Sequence, residues 1–309
     1  MIRHLHPTDA VLLFPFRQAA GRAQAFTLPR TLEPEAPLFP ALRYAGIALS
    51  LRAWQACWVL AERGRIDALI HAGRRAGRGT WEVRDLFVRP DSTDRCVDLL
   101  EEMCVQAGRD GARRLFMRVA SGSDVLHEAR RAGFVAYLAE TAYRSEAARP
   151  EGGAAVVLPR VRARAKSDDA GLLRLHCAWV PATRRAYGPA NASEWRDTEE
   201  RAARIQEEWV LEDEAGRVAA WLRTAETKSG RFISITADPD AGPAVGELVL
   251  VGLDGAEGRP AVALAASADA TLASALESAG FAAARSFDVL VRPVAAPVGA
   301  TRRAVAPVG

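Results

Sequence analysis

WEVRDLFVRPDSTDRCVDLLEEMCVQA, residues 81 to 107, reads as a strand handed to a helix. Trp81, Val83, Leu86 and Val88 stand against Glu82, Arg84 and Asp85, the apolar and polar pattern of a half-buried strand, and Arg89-Pro90 stops it. Asp91-Ser92-Thr93-Asp94 is rich in residues that cap helix N-termini. From there Cys96, Val97, Leu99, Leu100, Met103, Cys104 and Ala107 recur at three- and four-residue spacing, which predicts an amphipathic helix from Thr93 to Ala107. A strand that ends in a turn facing a helix N-terminus favours an anionic ligand there.

Outward from this stretch, Ile2 to His6 reads as a strand, and Pro7-Thr8-Asp9 caps a helix from Ala10 to about Ala20 that Pro15 shortens or bends. Residues 27 to 40, with four prolines, read as an irregular loop. Gln55 to Glu62, Arg65 to Ala72 and Trp81 to Val88, separated by Gly/Arg turns, form an antiparallel meander. Arg114 to Ala120 is a buried strand, Ser121-Gly122-Ser123-Asp124 caps a helix from Val125 to Ala132, and Gly133 closes that helix. Phe134 to Leu138 and Thr141 to Arg144 then read as a final pair of strands.

The order begins again beyond a Pro/Gly-rich linker at residues 147–159. Val161 to Leu173 echoes Ile2 to Leu13, each with an Asp-Ala pair at the helix cap followed by Leu-Leu, and Leu276 to Phe281 echoes Ala129 to Phe134. The chain therefore reads as two copies of one unit, residues 1–146 and 160–294, with a disordered tail at 295–309.

Composition bounds the function. At 309 residues, with 49% apolar residues, the chain is long enough for about two domains of ~150 residues each. Its 41 basic and 38 acidic residues leave a net charge of +3, too little for a general attraction to nucleic acid or anionic membranes. Only Lys166 and Lys228 are lysines, an arginine and alanine bias that fits a GC-rich bacterial genome. The cysteines Cys57, Cys96, Cys104 and Cys177 form no C-x-x-C pair, and no histidine stands at metal spacing, so no metal is expected. Three of the four fall on apolar positions, as in a reduced cytoplasmic protein. The N-terminus is too polar for a signal peptide, and no stretch approaches the ~20 apolar residues of a membrane span.

The repeated order of strand, helices, three antiparallel strands, helix, strand, helix and last strand pair resembles the GNAT acetyltransferase superfamily. Leu86-Phe-Val-Arg-Pro90 looks like that family's fourth strand and its exit, and each copy carries an Ala-Gly-Phe, at Phe134 and Phe281. The resemblance implies an α/β (α+β) fold of two tandem GNAT-like domains, each a mixed, mostly antiparallel sheet flanked by helices. It implies acetyl-CoA or another acyl-CoA as donor and a small-molecule amine as acceptor. The alternative is a catalytically inactive binding or scaffold protein of the same fold. A third relation, to tandem enzymes that use aminoacyl-tRNA to build peptide bridges, lacks the basic footprint tRNA requires.

In the family, glycines in the turn after the fourth strand let main-chain N–H groups approach the cofactor's pyrophosphate. Val88, Arg89 and Arg95 flank that turn in the first copy, where Asp91 to Asp98 contains no glycine and Asp91 and Asp94 oppose phosphate. The second copy, Ala237 to Glu247, retains Gly242 and Gly246, with Pro243 at the first helical position, beside Asp238 and Asp240. The position of the family's acid tyrosine holds Ala129 and Leu276. Glu82 or Asp85 fits the general base on the fourth strand, where a separation of three residues puts the two on opposite faces. Ser234 and Thr236 stand on the matching strand of the second copy. In the loop from Trp179 to Trp195, Arg184, Tyr187 and Trp195 offer a planar or anionic acceptor its contacts.

Overall fold

The computed structural model describes residues 1–48, 55–146, 160–203, 206–242, 244–254, 256 and 258–294. The proposed linker, the proposed tail and Pro243 lie outside the described residues. The first half runs β1 (Ile2–His4), α1 (Ala10–Ala19), α2 (Leu28–Thr31), α3 (Ala41–Ala48), β2 (Gln55–Glu62), β3 (Arg65–Arg74), β4 (Thr80–Val88), α4 (Cys96–Arg109), β5 (Arg114–Ala120), α5 (Val125–Arg131) and β6 (Val135–Ser145). The second runs β7 (Val161–Ala163), α6 (Asp169–Trp179), α7 (Ala192–Thr198), β8 (Glu207–Glu212), β9 (Val218–Thr227), β10 (Gly230–Ala237), α8 (Ala244–Leu253), β11 (Ala261–Ala266), α9 (Ala270–Ser278) and β12 (Ala282–Pro293). Pro15 lies inside α1 without ending it. A short tight turn, Pro90–Arg95, precedes α4, so that helix starts at Cys96 rather than Thr93.

The repeat is visible in local chemistry as well as in element order. Asp9 binds both guanidinium nitrogens of Arg3 and the main-chain N–H of His6, and Asp168 binds Arg162 and the N–H of Ala165 in the same way. Gly133 and Gly280 close α5 and α9 at φ of 79° and 82°, a left-handed conformation that suits glycine. Each turn then sends the N–H of Phe134 or Phe281 back to Ala129 or Leu276.

All the strands join one 12-stranded sheet in the order β1-β2-β3-β4-β5-β12-β6-β11-β10-β9-β8-β7. The last strand of each half is inserted beside the other half's penultimate strand. β12 pairs antiparallel with β5, β6 pairs antiparallel with β11, and β6 and β12 pair with each other at the centre, Arg144 opposite Ala282 and Val135 opposite Val291. The expected final hairpin between Leu138 and Thr141 is therefore absent. Ala139-Glu140 supplies none of the Gly, Asn or Asp that a two-residue hairpin turn needs, and β6 runs straight through it.

The faces of β4 correct a second expectation. Val83 lies opposite Ala72 and Asp85 opposite His71, so Arg84 is an extra residue, a β-bulge. The bulge returns Glu82 and Asp85 to the same face. Trp81, Val83, Leu86 and Val88 pack together under α4 with Leu99, Leu100, Met103 and Cys104, whereas Phe87 packs on the opposite side with Phe16, Phe39 and Tyr44. The apolar spacing of 81, 83, 86 and 88 itself breaks strict alternation once, which is the sequence trace of the bulge. β10 pairs with β9 over its whole length without such a shift.

Candidate active site

Each half contains one pair of parallel strands that separates along its length. β4 and β5 pair from Thr80 opposite Arg114 to Val83 opposite Met117, then splay. β10 and β11 pair from Arg231 opposite Ala261 to Ser234 opposite Leu264, then splay. A splay leaves main-chain N–H and C=O groups without ladder partners, so something extended must satisfy them.

In the first half the chain itself fills the splay. Gln24 N–H donates to Leu86 O on β4 at 2.8 Å, and Phe26 N–H donates to Arg118 O on β5 at 2.9 Å. Between them Ala25 is fully buried and bridges Val119. The Ser123 hydroxyl donates to Gln24 Oε1 at 3.0 Å, and Phe26 packs edge-on against Phe287 with ring centroids 5.2 Å apart. The turn beyond β4 is closed as well: Arg95 pairs with Glu62 at 2.7 Å and Asp67 at 3.3 Å, and Arg89 with Asp91 at 3.5 Å.

The second splay differs. Among the described residues no main-chain segment bridges β10 and β11, and only Trp179 Nε1 reaches in, donating to Ala237 O at 2.8 Å. The splay opens into a cavity of about 130 Å³ under the sheet, lined by Ser234 to Thr236 and Leu264 to Ala266 and by side chains of both halves. Tyr137 on the exchanged strand β6 meets His176 on α6, with Tyr137 Oη and His176 Nε2 2.7 Å apart. The Trp195 ring lies 4.7 Å from the imidazole. Arg118, buried on β5, donates to Glu140 on β6 and to Glu200 at 2.8 Å each, and Arg75 joins Glu200 at 2.6 Å. Arg223 on β9 stacks over Trp221 at 4.4 Å and donates to Ser234 Oγ at 3.1 Å.

No protein-family model and no curated relative matches the sequence. Solved structures do. A tandem GNAT protein from the clavulanic acid biosynthesis pathway, determined without AcCoA, matches over 95% of this chain and 98% of its own, with 15% identity and a TM-score of 0.51. The chain has the tandem GNAT fold. A GCN5-related N-acetyltransferase from Sphaerobacter thermophilus matches over 95% of both chains with 15% identity and a TM-score of 0.50. At such identity the likeness concerns the fold.

Within the tandem GNAT fold the expected residues scatter. Trp195 lines the cavity; Arg184 does not, and Tyr187 packs beside it on Phe116 and Tyr137. Glu82 faces a neighbouring groove that shares Arg75 and Glu200 with the cavity, and it pairs with Arg75 at 3.2 Å. Asp85 is fully buried against Arg30, Arg43 and His71, closed off from any cleft. Val88 is buried and lies opposite Ala68 on β3. Gly242, at φ 56°, shapes the entry to α8, and Gly246 lies in its first turn. The groove beside them carries six carboxylates, among them Asp238, Asp240 and Glu247, against Arg160, Arg174 and Arg217. Three of these carboxylates pair with those arginines, Glu214 with Arg160, Asp238 with Arg174 and Asp213 with Arg217, and the groove keeps a carboxylate excess.

Burial, with Arg75 and Arg223 nearby, lowers His176 to about 4, so its imidazole is neutral at pH 7. Burial raises the Tyr137 hydroxyl, which keeps it a hydrogen-bond donor. Burial alone would raise Glu200, but Arg118 and Arg75 hold it down at about 2. Burial, with the Glu200 charge adding to it, raises Glu82 against the pull of Arg75 and Arg84. In the first half, burial together with Arg84, Arg43 and Arg30 lowers His71 to about 3.

Both histidines thus bind protons more readily when unfolded. Their stabilising effect is complete above the unfolded value near 6.5 and falls as pH drops toward the folded values. Urea unfolding at pH 5 should show about 2 kcal/mol lost for each imidazole relative to pH 7. His176→Asn should remove its share of that dependence; an unchanged pH profile would contradict the assignment.

Gly188 sits against Tyr137, and a Cβ there would overlap the hydroxyl. Gly188→Ala should therefore break the Tyr137–His176 contact without altering either residue, with a stability loss of about 1–3 kcal/mol from overpacking. A histidine titration by NMR checks this: His176 should move away from its wild-type value in Gly188→Ala while His71 stays in place.

The cavity's polar residues had signals in the sequence. Arg118 interrupts the buried run RLFMRVA, Arg223 interrupts VAAWLRTA, and His176 follows Leu172 at helical spacing on an apolar face. Charged or polar residues at such positions need partners. Strand exchange brings Glu140 to Arg118 and Tyr137 to His176, a pairing that no local pattern encodes.

Proposed function

We propose that the protein is a GNAT-type acyltransferase with a single working site, the second-half splay and the cavity below it, and that the first half is structural. The observation that carries this reading is the contrast between the two splays: Gln24 to Phe26 fill one, while the other opens onto the Tyr137–His176 pair. The donor is an acyl-pantetheine thioester, of which acetyl-CoA is one form, and the acceptor is a small amine.

Ile235 to Ala237 would hold the pantetheine arm by its amide groups. The amine nitrogen attacks the thioester carbonyl carbon, the C–N bond forms and the C–S bond breaks. Tyr137 takes the amine proton as its own passes to the neutral His176 Nε2 across 2.7 Å. His176 returns that proton through Tyr137 to the departing thiolate. Glu82 lies off this path, next to Arg75.

The acidic groove at Asp238 and Asp240 favours a second reading, a non-catalytic protein that binds a small ligand in the same cavity. Thermal unfolding with S-acetylpantetheine and with acetyl-CoA separates the two. A ligand at a hundredfold excess over Kd stabilises by about 2.7 kcal/mol. S-acetylpantetheine is expected to raise Tm and acetyl-CoA to raise it less, because its diphosphate meets the carboxylates. No shift with either at millimolar concentration would leave only the second reading.

A further inference from the structure

We propose that Arg223 anchors a carboxylate of the cavity's ligand, so that the acceptor, on the acyltransferase reading above, is a small amino acid or an amino-carboxylate of similar size. Of the arginines that line the cavity, Arg75 and Arg118 each make ion pairs. Arg223 makes none among the described residues. The carboxylates nearest it are committed elsewhere: Glu140 to Arg118, Glu200 to Arg118 and Arg75, and Glu199 and Glu208 to Arg164.

What Arg223 does touch is neutral. Nη1 donates to the Glu200 main-chain carbonyl at 3.2 Å and Nη2 to Ser234 Oγ at 3.1 Å, while Nε has no hydrogen-bond partner. Nε is closed off, so the donor left for a ligand carboxylate is the second N–H of Nη2, beside the one held by Ser234. Trp221 covers one face of the group at 4.4 Å and fixes its plane. The cation feels Glu208, Glu200, Glu199 and Glu140 through space but makes an ion pair with none of them, and a ligand carboxylate would supply that direct contact.

Size and polarity narrow the ligand further. A cavity of about 150 Å³ admits a molecule the size of benzene, so the 130 Å³ here suits roughly six heavy atoms. Tyr137 and His176 line the same cavity and would meet the amine, with Glu200 adjacent. A carboxylate on Arg223 and an amine toward Tyr137 is the arrangement of a small amino acid.

Trp179, Trp195 and Trp221 line the cavity, so intrinsic fluorescence reports its occupancy. Propionate and propionamide have the same shape and differ in charge. Wild-type protein is expected to bind propionate with at least a tenfold lower Kd, and Arg223→Met, shown to be folded by circular dichroism, is expected to lose that preference. Equal binding of the two, no propionate binding at 100 mM, or a preference kept in Arg223→Met would overturn the proposal. If Arg223→Met does not fold, the wild-type comparison decides alone. S-acetylpantetheine, titrated separately, tests the acyltransferase reading: carboxylate preference without thioester binding upholds the anchor and removes acyl transfer, and the converse removes the anchor only.

Discussion

Replacing Arg118 with methionine is expected to cost about 3–5 kcal/mol of unfolding free energy. Arg118 is 5% exposed and holds Glu140 and Glu200 at 2.8 Å each. Methionine fills a similar volume but leaves half-buried Glu140 without the Arg118 ion pair and Glu200 with its Arg75 pair alone. Guanidinium chloride unfolding measures the loss. The triple variant Arg118→Met, Glu140→Gln, Glu200→Gln should recover more than half of it, since the penalty lies mainly in uncompensated charge and not in lost packing. A loss below about 1 kcal/mol would mean that water reaches the network and that the cavity is wetter than its lining implies.

Phe26→Ala is expected to cost about 3–5 kcal/mol as well, for a different reason. Phe26 is 3% exposed, sits at the end of the segment that fills the first splay, and packs on Phe287 from the exchanged strand β12. Its loss opens a cavity where the two halves meet. The variant is expected to bind S-acetylpantetheine no better than wild type, because the hydrogen bonds of Gln24 to Leu86 and Phe26 to Arg118 are main-chain bonds that survive the substitution. A second equivalent of thioester bound by Phe26→Ala would show instead that the first splay is a masked site.

Much of the fold was legible in the residues. The stretch from Trp81 to Ala107 declares its strand and helix, and the paired Asp9/Asp168 caps and Gly133/Gly280 closures declare the repeat. What escaped is non-local. Glu82 and Asp85 seemed to face apart because the bulge at Arg84 depends on how β3 pairs with β4. The exchange of β6 and β12 depends on a pairing between residues 138 or more apart, as with Arg144 opposite Ala282. Because the site is built across that exchange, Tyr137 from one half and His176 from the other, the sequence drew attention to the two turns after the fourth strands. One of those turns is closed and the other is acidic. Trp195 drew notice because an aromatic in an acceptor-side loop stands out; Arg223 and Arg118 did not, because an arginine in an apolar strand carries no mark of its partners until the strands are paired.

The central claim is that the second splay, not the first, receives the thioester. A crystal structure of the protein soaked with S-acetylpantetheine tests it most directly. The predicted result is density for one ligand per chain, between Ile235 to Ala237 and Leu264 to Ala266, its acyl end toward Tyr137 and Gln24 to Phe26 unmoved. Density between Leu86 and Val119, with that segment displaced, would contradict the account.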